Sequence, residues 1–315
     1  MPSSVIAILT MFFLIKETNP IPPTPKPRVI VSTDIGGRDP DDYQSLIHFL
    51  LYADRFNIEG LISSPPHEGT LENIIEVISA YERDFEKLRK KNADFPSPEL
   101  LRNISKQGAE NAQTSDVPEN LSEGAEWIIQ QARKPSPEPL YILVWGSMTD
   151  IAEALHQAPD IKKKIRIYSI GSWNTDQDPK SRDYVFNHHQ DVWWIENNST
   201  FRGMYLGGEQ NGDWGNLSFV LKFVKGKGNL GNLFYKQKPD IKMGDTPSVL
   251  YLLNGDPDRP EGESWGGSFR KLGSSYWTDK EDPFLEQDGR AGAKTVNRHR
   301  MAFLQDWALR MSWLD

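Results

Sequence analysis

Between Val31 and Leu46 the chain reads VSTDIGGRDPDDYQSL, which places four carboxylates, Asp34, Asp39, Asp41 and Asp42, within nine residues. Ionised carboxylates this close repel one another by ~1 kcal/mol or more per close pair unless positive charge lies between them. A helix N-terminus supplies about half an elementary charge, too little for four acids. A divalent cation suffices, since calcium accepts about six to eight oxygens from carboxylates, carbonyls and waters. A competing reading has Asp39 or Asp41 capping the following helix while the other acids stay solvated, and the spacing alone leaves both open. The segment is not an EF-hand loop, because no glutamate closes it. The chain has no cysteine and six histidines, so any metal is a hard ion held by oxygen or one held by imidazole, and a thiolate nucleophile is excluded.

The elements that must position these acids follow from periodicity. Arg28 to Thr33 is a short β-branched run that predicts a buried strand, with Asp34 at its carboxyl end. Gly36 and Gly37 permit a tight loop, and a helix is expected over 40–53 with Pro40 in its first turn. Further strands are expected over 57–63, 141–145 and 165–170, and helices over 70–91, 122–133, 148–157, 192–197, 246–253 and 299–313. Gly203 to Leu206 reads as a strand, residues 92–120 as a loop region with one short helix, and Asp176, Asp178 and Asp183 as an acidic loop. Strands alternating with helices predict an α/β fold with a mainly parallel central sheet flanked by helices. In such sheets functional groups gather at the carboxyl ends of the strands.

Of the ten tryptophans, Trp145, Trp173 and Trp265 fall in predicted loops, where each is a candidate for stacking on a sugar ring or base. Trp193, Trp194, Trp307 and Trp313 fall on predicted helices and are assigned to the core. The 315 residues suit one large domain, and a net charge of −8 argues against a nucleic-acid polymer as partner. No apolar stretch reaches the ~18 residues of a membrane span. Val5 to Ile15 is an unbroken apolar run of secretory length, and Pro20, Pro22, Pro23, Pro25 and Pro27 follow as an extended spacer. Residues 1–27 are therefore expected to be a signal peptide and linker, 28–315 the folded domain, and the address periplasmic or extracellular.

The motifs resemble those of the inosine-uridine-preferring nucleoside hydrolases, which open on a strand and a D-x-D-x-G-x-D-D cluster. STDIGGRDPDD is similar to that element with a longer loop, the form found in the Sde182-type, nucleoside-hydrolase-like branch described as cellulose-binding. VWGSMTDIAEAL resembles the G-P-L-T-N-I-A turn, VFNHHQD the E-F-N segment and MGDTPSVLYLL the H-D-P-x-A-x-x-Y-L-L segment; WGGSF at Trp265 to Phe269 is also typical of this branch. The resemblance covers roughly residues 28–313.

It implies a nucleoside-hydrolase-like fold and a calcium ion held by Asp34, Asp42, Asp245 and the Thr149 carbonyl. Asp34 is then the general base of a glycosidic hydrolysis, with Asp41 and Asn187 on the sugar hydroxyls. Trp173 and Trp265 are taken as substrate-binding, and His67 likewise, with His188 and His189 as further candidates for protonating a leaving group. The implied partner is a small glycoside or a polysaccharide, bound with or without turnover, and the resemblance admits a homo-oligomer. The chain departs from the family at Ser32, Val185 and Gly244, where the pattern has aspartate, glutamate and histidine. These departures imply a retained metal site and an altered substrate pocket.

Overall fold

A computed structural model describes residues 25–37, 39–66 and 69–315. The apolar run Val5–Ile15, most of the proline spacer and His67 lie outside the described residues. The first half of the chain forms β1 (Arg28–Thr33), α1 (Asp41–Leu51), β2 (Asn57–Ser63), α2 (Leu71–Lys91), α3 (Pro98–Asn103), β3 (Ser105–Gln107), α4 (Glu123–Arg133) and β4 (Leu140–Val144). Then come α5 (Thr149–Gln157), β5 (Ile165–Ile170), α6 (Trp173–Gln177), α7 (Pro179–His188) and β6 (Trp193–Asn197). The chain closes with α8 (Asn216–Phe219), α9 (Gly228–Gln237), α10 (Thr246–Leu253), β7 (Phe269–Lys271), β8 (Tyr276–Asp279), α11 (Lys294–Asn297) and α12 (Arg300–Met311).

The strands form one sheet in the order β3-β2-β1-β4-β5-β6-β8-β7, parallel throughout except for the antiparallel pair β7–β8. All six residues of β1 are buried, which explains a continuous apolar run where a half-exposed strand would alternate. Val29 and Val31 join the layer containing residues of α1, α2, α9, α10 and α12, and Ile30 joins that of α4 and α5. Strand order reverses at β1, with β2 on one side and β4 on the other. The crevice outside the carboxyl ends of β1 and β4 is thus where a parallel α/β sheet places a ligand.

Three local expectations are corrected. Residues 193–197, read as helical, form β6 between β5 and β8. Six residues of VWWIEN are too few to carry a helical period, and their aromatic and β-branched side chains suit a buried pleat. Trp194 is still a core residue, its indole N–H donating to Ser169 Oγ at 2.8 Å. Residues 203–206, read as a strand, belong to and follow a 3₁₀ turn, Thr200–Met204. The amides leading into that turn donate to side chains: Ser199 and Thr200 to Asp279 Oδ1, and Phe201 to Asn197 Oδ1. The acidic segment 176–183 runs through α6 and α7, and Asp178 is a buried cap that accepts from the Ser181 N–H at 3.2 Å.

Two contacts shape the loop that carries the acids. Gly36 has φ of +102°, which L side chains avoid, and a Cβ there would stand 2.5 Å from Asn73 Oδ1 on α2. Gln44, fully buried on α1, binds the segment before α10 at both ends of its amide. Its Nε2 donates to the carbonyls of Lys238 and Asp240 at 3.2 and 2.9 Å, and its Oε1 accepts from the N–H groups of Lys242 and Met243 at 2.9 and 3.2 Å. One amide side chain therefore fixes a distant stretch of chain against the helix that begins with Asp41 and Asp42.

Candidate functional site

That clamp brings Asp245 to the acids that follow β1. Carboxylate oxygens of Asp41, Asp42 and Asp245 all lie within 4.8 Å of one another. Asp34 stands beside Asp42, and Thr33 Oγ1 donates to Asp42 Oδ1. Burial, followed by repulsion from Asp42, holds the carboxyls of Asp34, Asp41 and Asp245 well above the usual carboxylate range. Burial also pushes Asp42 up to about 6, against the opposing effect of the Thr33 hydrogen bond. Asp245 Oδ2 is buried with no hydrogen-bond partner among the described residues. An unpartnered carboxylate oxygen facing other acids fits a hard divalent cation, which would supply both the missing contact and the missing charge.

The acids occupy the floor of a cleft of about 680 Å³ at the carboxyl ends of β1, β4 and β5, a volume suited to a ligand of several rings. Trp145, Ile170, Gly171, Trp173, Asn174 and Gln177 also line it, as do Phe201, Arg202, Tyr205 and Lys242 from later in the chain. Asn174 Nδ2 donates to the carbonyls of Trp145 and Ile170, at 2.8 and 3.1 Å. Trp145 is buried, and its indole N–H donates to Ser248 Oγ, which in turn donates to the Asp245 carbonyl. Trp173 is 46% exposed on α6. Ser172 (φ +58°) and Met243 (φ +43°) hold left-handed backbone next to Trp173 and near Asp245, conformations that cluster at functional sites.

Several expected site residues are placed elsewhere. Asn187 is exposed on α7 and does not line the cleft, because this segment is a helix that buries Val185 on its inner side. His188 is exposed on the same helix and stacks on Tyr184, while His189 is buried just beyond its end. Thr149 is buried off the cleft, and its hydroxyl donates to Asp178 Oδ2 at 2.7 Å. Trp265 is half-buried against the core behind α10. The residue of the VWGSMTD turn that reaches the cleft is Trp145, and the asparagine that reaches it is Asn174. Arg202, Tyr205 and Lys242 carried no sequence signal, since they follow no motif and are gathered by contacts far along the chain.

A Cβ built on Gly244 would stand 2.5 Å from Asp41 Oδ2 and 3.5 Å from the Phe201 ring. The absence of a side chain there leaves room for Asp41 between α10 and the cleft wall.

Residues 28–269 match the family described as cellulose-binding Sde182, nucleoside hydrolase-like domain. The chain is similar to a nucleoside hydrolase-related protein from Saccharophagus degradans associated with carbohydrate metabolism: 24% identity, TM-score 0.72, covering 92% of this chain and 72% of that one. It is similar in fold to an inosine-uridine-preferring nucleoside hydrolase from Bacillus anthracis (15% identity, TM-score 0.55, 90% of this chain and 99% of that one). A purine-preferring ribonucleoside hydrolase from Gardnerella vaginalis is comparable (16% identity, TM-score 0.53, 91% and 98%). No protein in the curated set compared matches it.

Proposed function

Because the chain belongs to the cellulose-binding Sde182, nucleoside hydrolase-like family, we propose that its cleft holds calcium on the acids after β1 and on Asp245, and takes a sugar by its vicinal hydroxyls. The observation that carries this reading is the buried, unpartnered Oδ2 of Asp245 on a carboxylate grouped with those of Asp41 and Asp42. Asp34, Asp42 and Asp245 are the proposed side-chain ligands. Trp145 replaces Thr149 as the proposed source of a backbone carbonyl ligand, since it is Trp145 that lines the cleft. When bound, calcium would acidify a water and orient a diol.

The protein's own groups would then carry hydrolysis of an N-ribosyl or related glycosidic bond. Asp34 accepts a proton from the attacking water, whose oxygen bonds to the anomeric carbon as the glycosidic bond breaks and its electron pair leaves with the departing group. Asp41 accepts a hydrogen bond from a sugar hydroxyl, and its charge stabilises an oxocarbenium-like transition state. Asn174 has a free Oδ1 for a second hydroxyl, and Trp173, 46% exposed, lines the cleft beside it. Release of reducing sugar from a panel of nucleosides and aryl glycosides, in calcium, should exceed that of an Asp34→Ala variant. Equal release from the two proteins would remove hydrolysis.

A second reading, sugar binding without turnover, rests on a specific observation: none of the histidines among the described residues lines the cleft, where it could protonate a leaving group. Depletion of the protein by a polysaccharide, without reducing-sugar release, is its expected signature.

A further inference from the structure

The cleft is lined by charges of both signs. Besides the carboxylates, Arg202, on the 3₁₀ turn, lines it together with Tyr205 and Lys242. The Arg202 guanidinium lies over the Phe201 ring, 4.4 Å from its centroid, and that ring is also the one that flanks Gly244 next to Asp41. Its Nη1 donates to the Asn198 carbonyl at 2.8 Å and its Nη2 to Ser172 Oγ at 3.1 Å. Both partners are neutral, and among the described residues Arg202 makes no ion pair, whereas Lys242 is paired with Asp39. A guanidinium carries five N–H donors in a fixed fork, so donors remain for a ligand. Burial, with the nearby Arg290 acting the same way, disfavours the charge on Arg202, and Tyr205 and Asp279 offset this only in part, so an incoming anion would relieve the rest.

This wall is rigidly built. Arg300 is fully buried and donates to the carbonyls of Met204, Glu209 and Trp214 and to Asn216 Oδ1, holding the turn and the loop after it. Asp279 fixes the start of the turn through the amides of Asn198, Ser199 and Thr200. An arginine placed this firmly, with Asp279 nearby but outside ion-pair distance, has donors left for a planar or tetrahedral oxyanion.

We propose that the cleft selects an acidic glycoside, one that presents its diol to the carboxylates and a carboxylate or phosphate to Arg202, with Lys242 adding long-range attraction. The inference rests on the cation reading above, because four uncompensated acids would otherwise repel an anionic ligand.

The test is calorimetric titration of the full chain, in calcium, with matched neutral and anionic sugars. D-glucose against D-glucuronate probes a carboxylate, and D-ribose against ribose 5-phosphate probes a phosphate. At least one anionic sugar should bind about tenfold or more tightly than its neutral counterpart, in the range of a charge-assisted hydrogen-bonded pair. Which pair shows the larger ratio identifies the oxyanion. The ratio should fall toward one in Arg202→Gln, be kept in part in Arg202→Lys, and shrink with added salt. Equal affinities within both pairs, or a preference that survives in Arg202→Gln, would overturn the proposal. If Arg202→Gln does not fold, the wild-type ratios decide alone. Failure of the cation reading shows separately, as the absence of any calcium effect on melting.

Discussion

Asp245 is the residue on which the site turns, because it crosses the whole fold to meet acids that are otherwise neighbours in sequence. Its Oδ2 is buried and unpartnered, and its carboxyl, like those of Asp34 and Asp41, is held well above the usual range, chiefly by burial. A carboxyl whose pKa is higher in the folded chain than in the unfolded one favours folding below the unfolded value, about 4. That contribution is lost as pH rises through the folded value, about 6 for Asp42 and raised in the same direction for the others. Chelator-treated protein is therefore expected to carry a destabilising acid cluster at pH 7.5 that is largely neutralised at pH 5. Calcium, binding the ionised folded form, should raise Tm at pH 7.5 and raise it much less at pH 5, where protons compete for the same oxygens. Asp245→Asn should remove most of the calcium increment while melting higher than chelated wild type at pH 7.5, since one repelling acid is gone. A calcium increment that is the same at both pH values and in the variant would show that the ion acts elsewhere.

At the scale of elements, the cluster depends on how α1 grips the segment before α10. Gln44 makes four backbone hydrogen bonds to residues 238–243 from a fully buried position. Gln44→Ala leaves those amides and carbonyls without that partner, at a cost of about 3 kcal/mol in urea unfolding, and it frees Asp245 to drift. Its calcium affinity should fall by more than that of a stability-matched core variant such as Leu304→Ala, and equal losses would deny Gln44 a positioning role. The same long-range contacts explain which parts were readable from sequence. The strand, acidic loop and helix start around Asp34 are contiguous, so their residue types and spacing describe them directly. Asp245 came from motif resemblance alone. Thr149 and Asn187 do not line the cleft, because a motif names a residue without saying which backbone carbonyl of a turn faces the cleft, or which way a helix such as α7 turns a side chain. Arg202 and Tyr205 had no local signature, being set by Asp279 and Arg300 from some eighty or ninety positions away. Val192 to Asn197 failed for a simpler reason, since a six-residue apolar run is compatible with either period.

For the whole molecule, the distribution of aromatic surface decides how a polysaccharide could be held. Binding along the flat face of a crystalline glucan calls for several rings presented in one plane. Among the described residues Trp173 is the only markedly exposed tryptophan, and the other exposed aromatics, Phe186 and Phe284, do not line the cleft. Most of the tryptophans instead serve the fold, as with Trp194 against Ser169 and Trp307 between Phe219 and Phe234. What the molecule offers is a cleft lined by one markedly exposed tryptophan, by acids and by an arginine, of a volume that suits a chain end or a short oligosaccharide. Retention on amorphous cellulose should therefore exceed retention on crystalline cellulose, be competed by soluble cello-oligosaccharide, and fall about tenfold in Trp173→Ala, as expected for loss of one stacking contact. Trp265→Ala, which alters a half-buried residue away from the cleft, should leave retention unchanged once stability is matched. Stronger retention on the crystalline form, insensitive to soluble competitor and to Trp173→Ala, would move polysaccharide binding off the cleft and onto another surface of the chain.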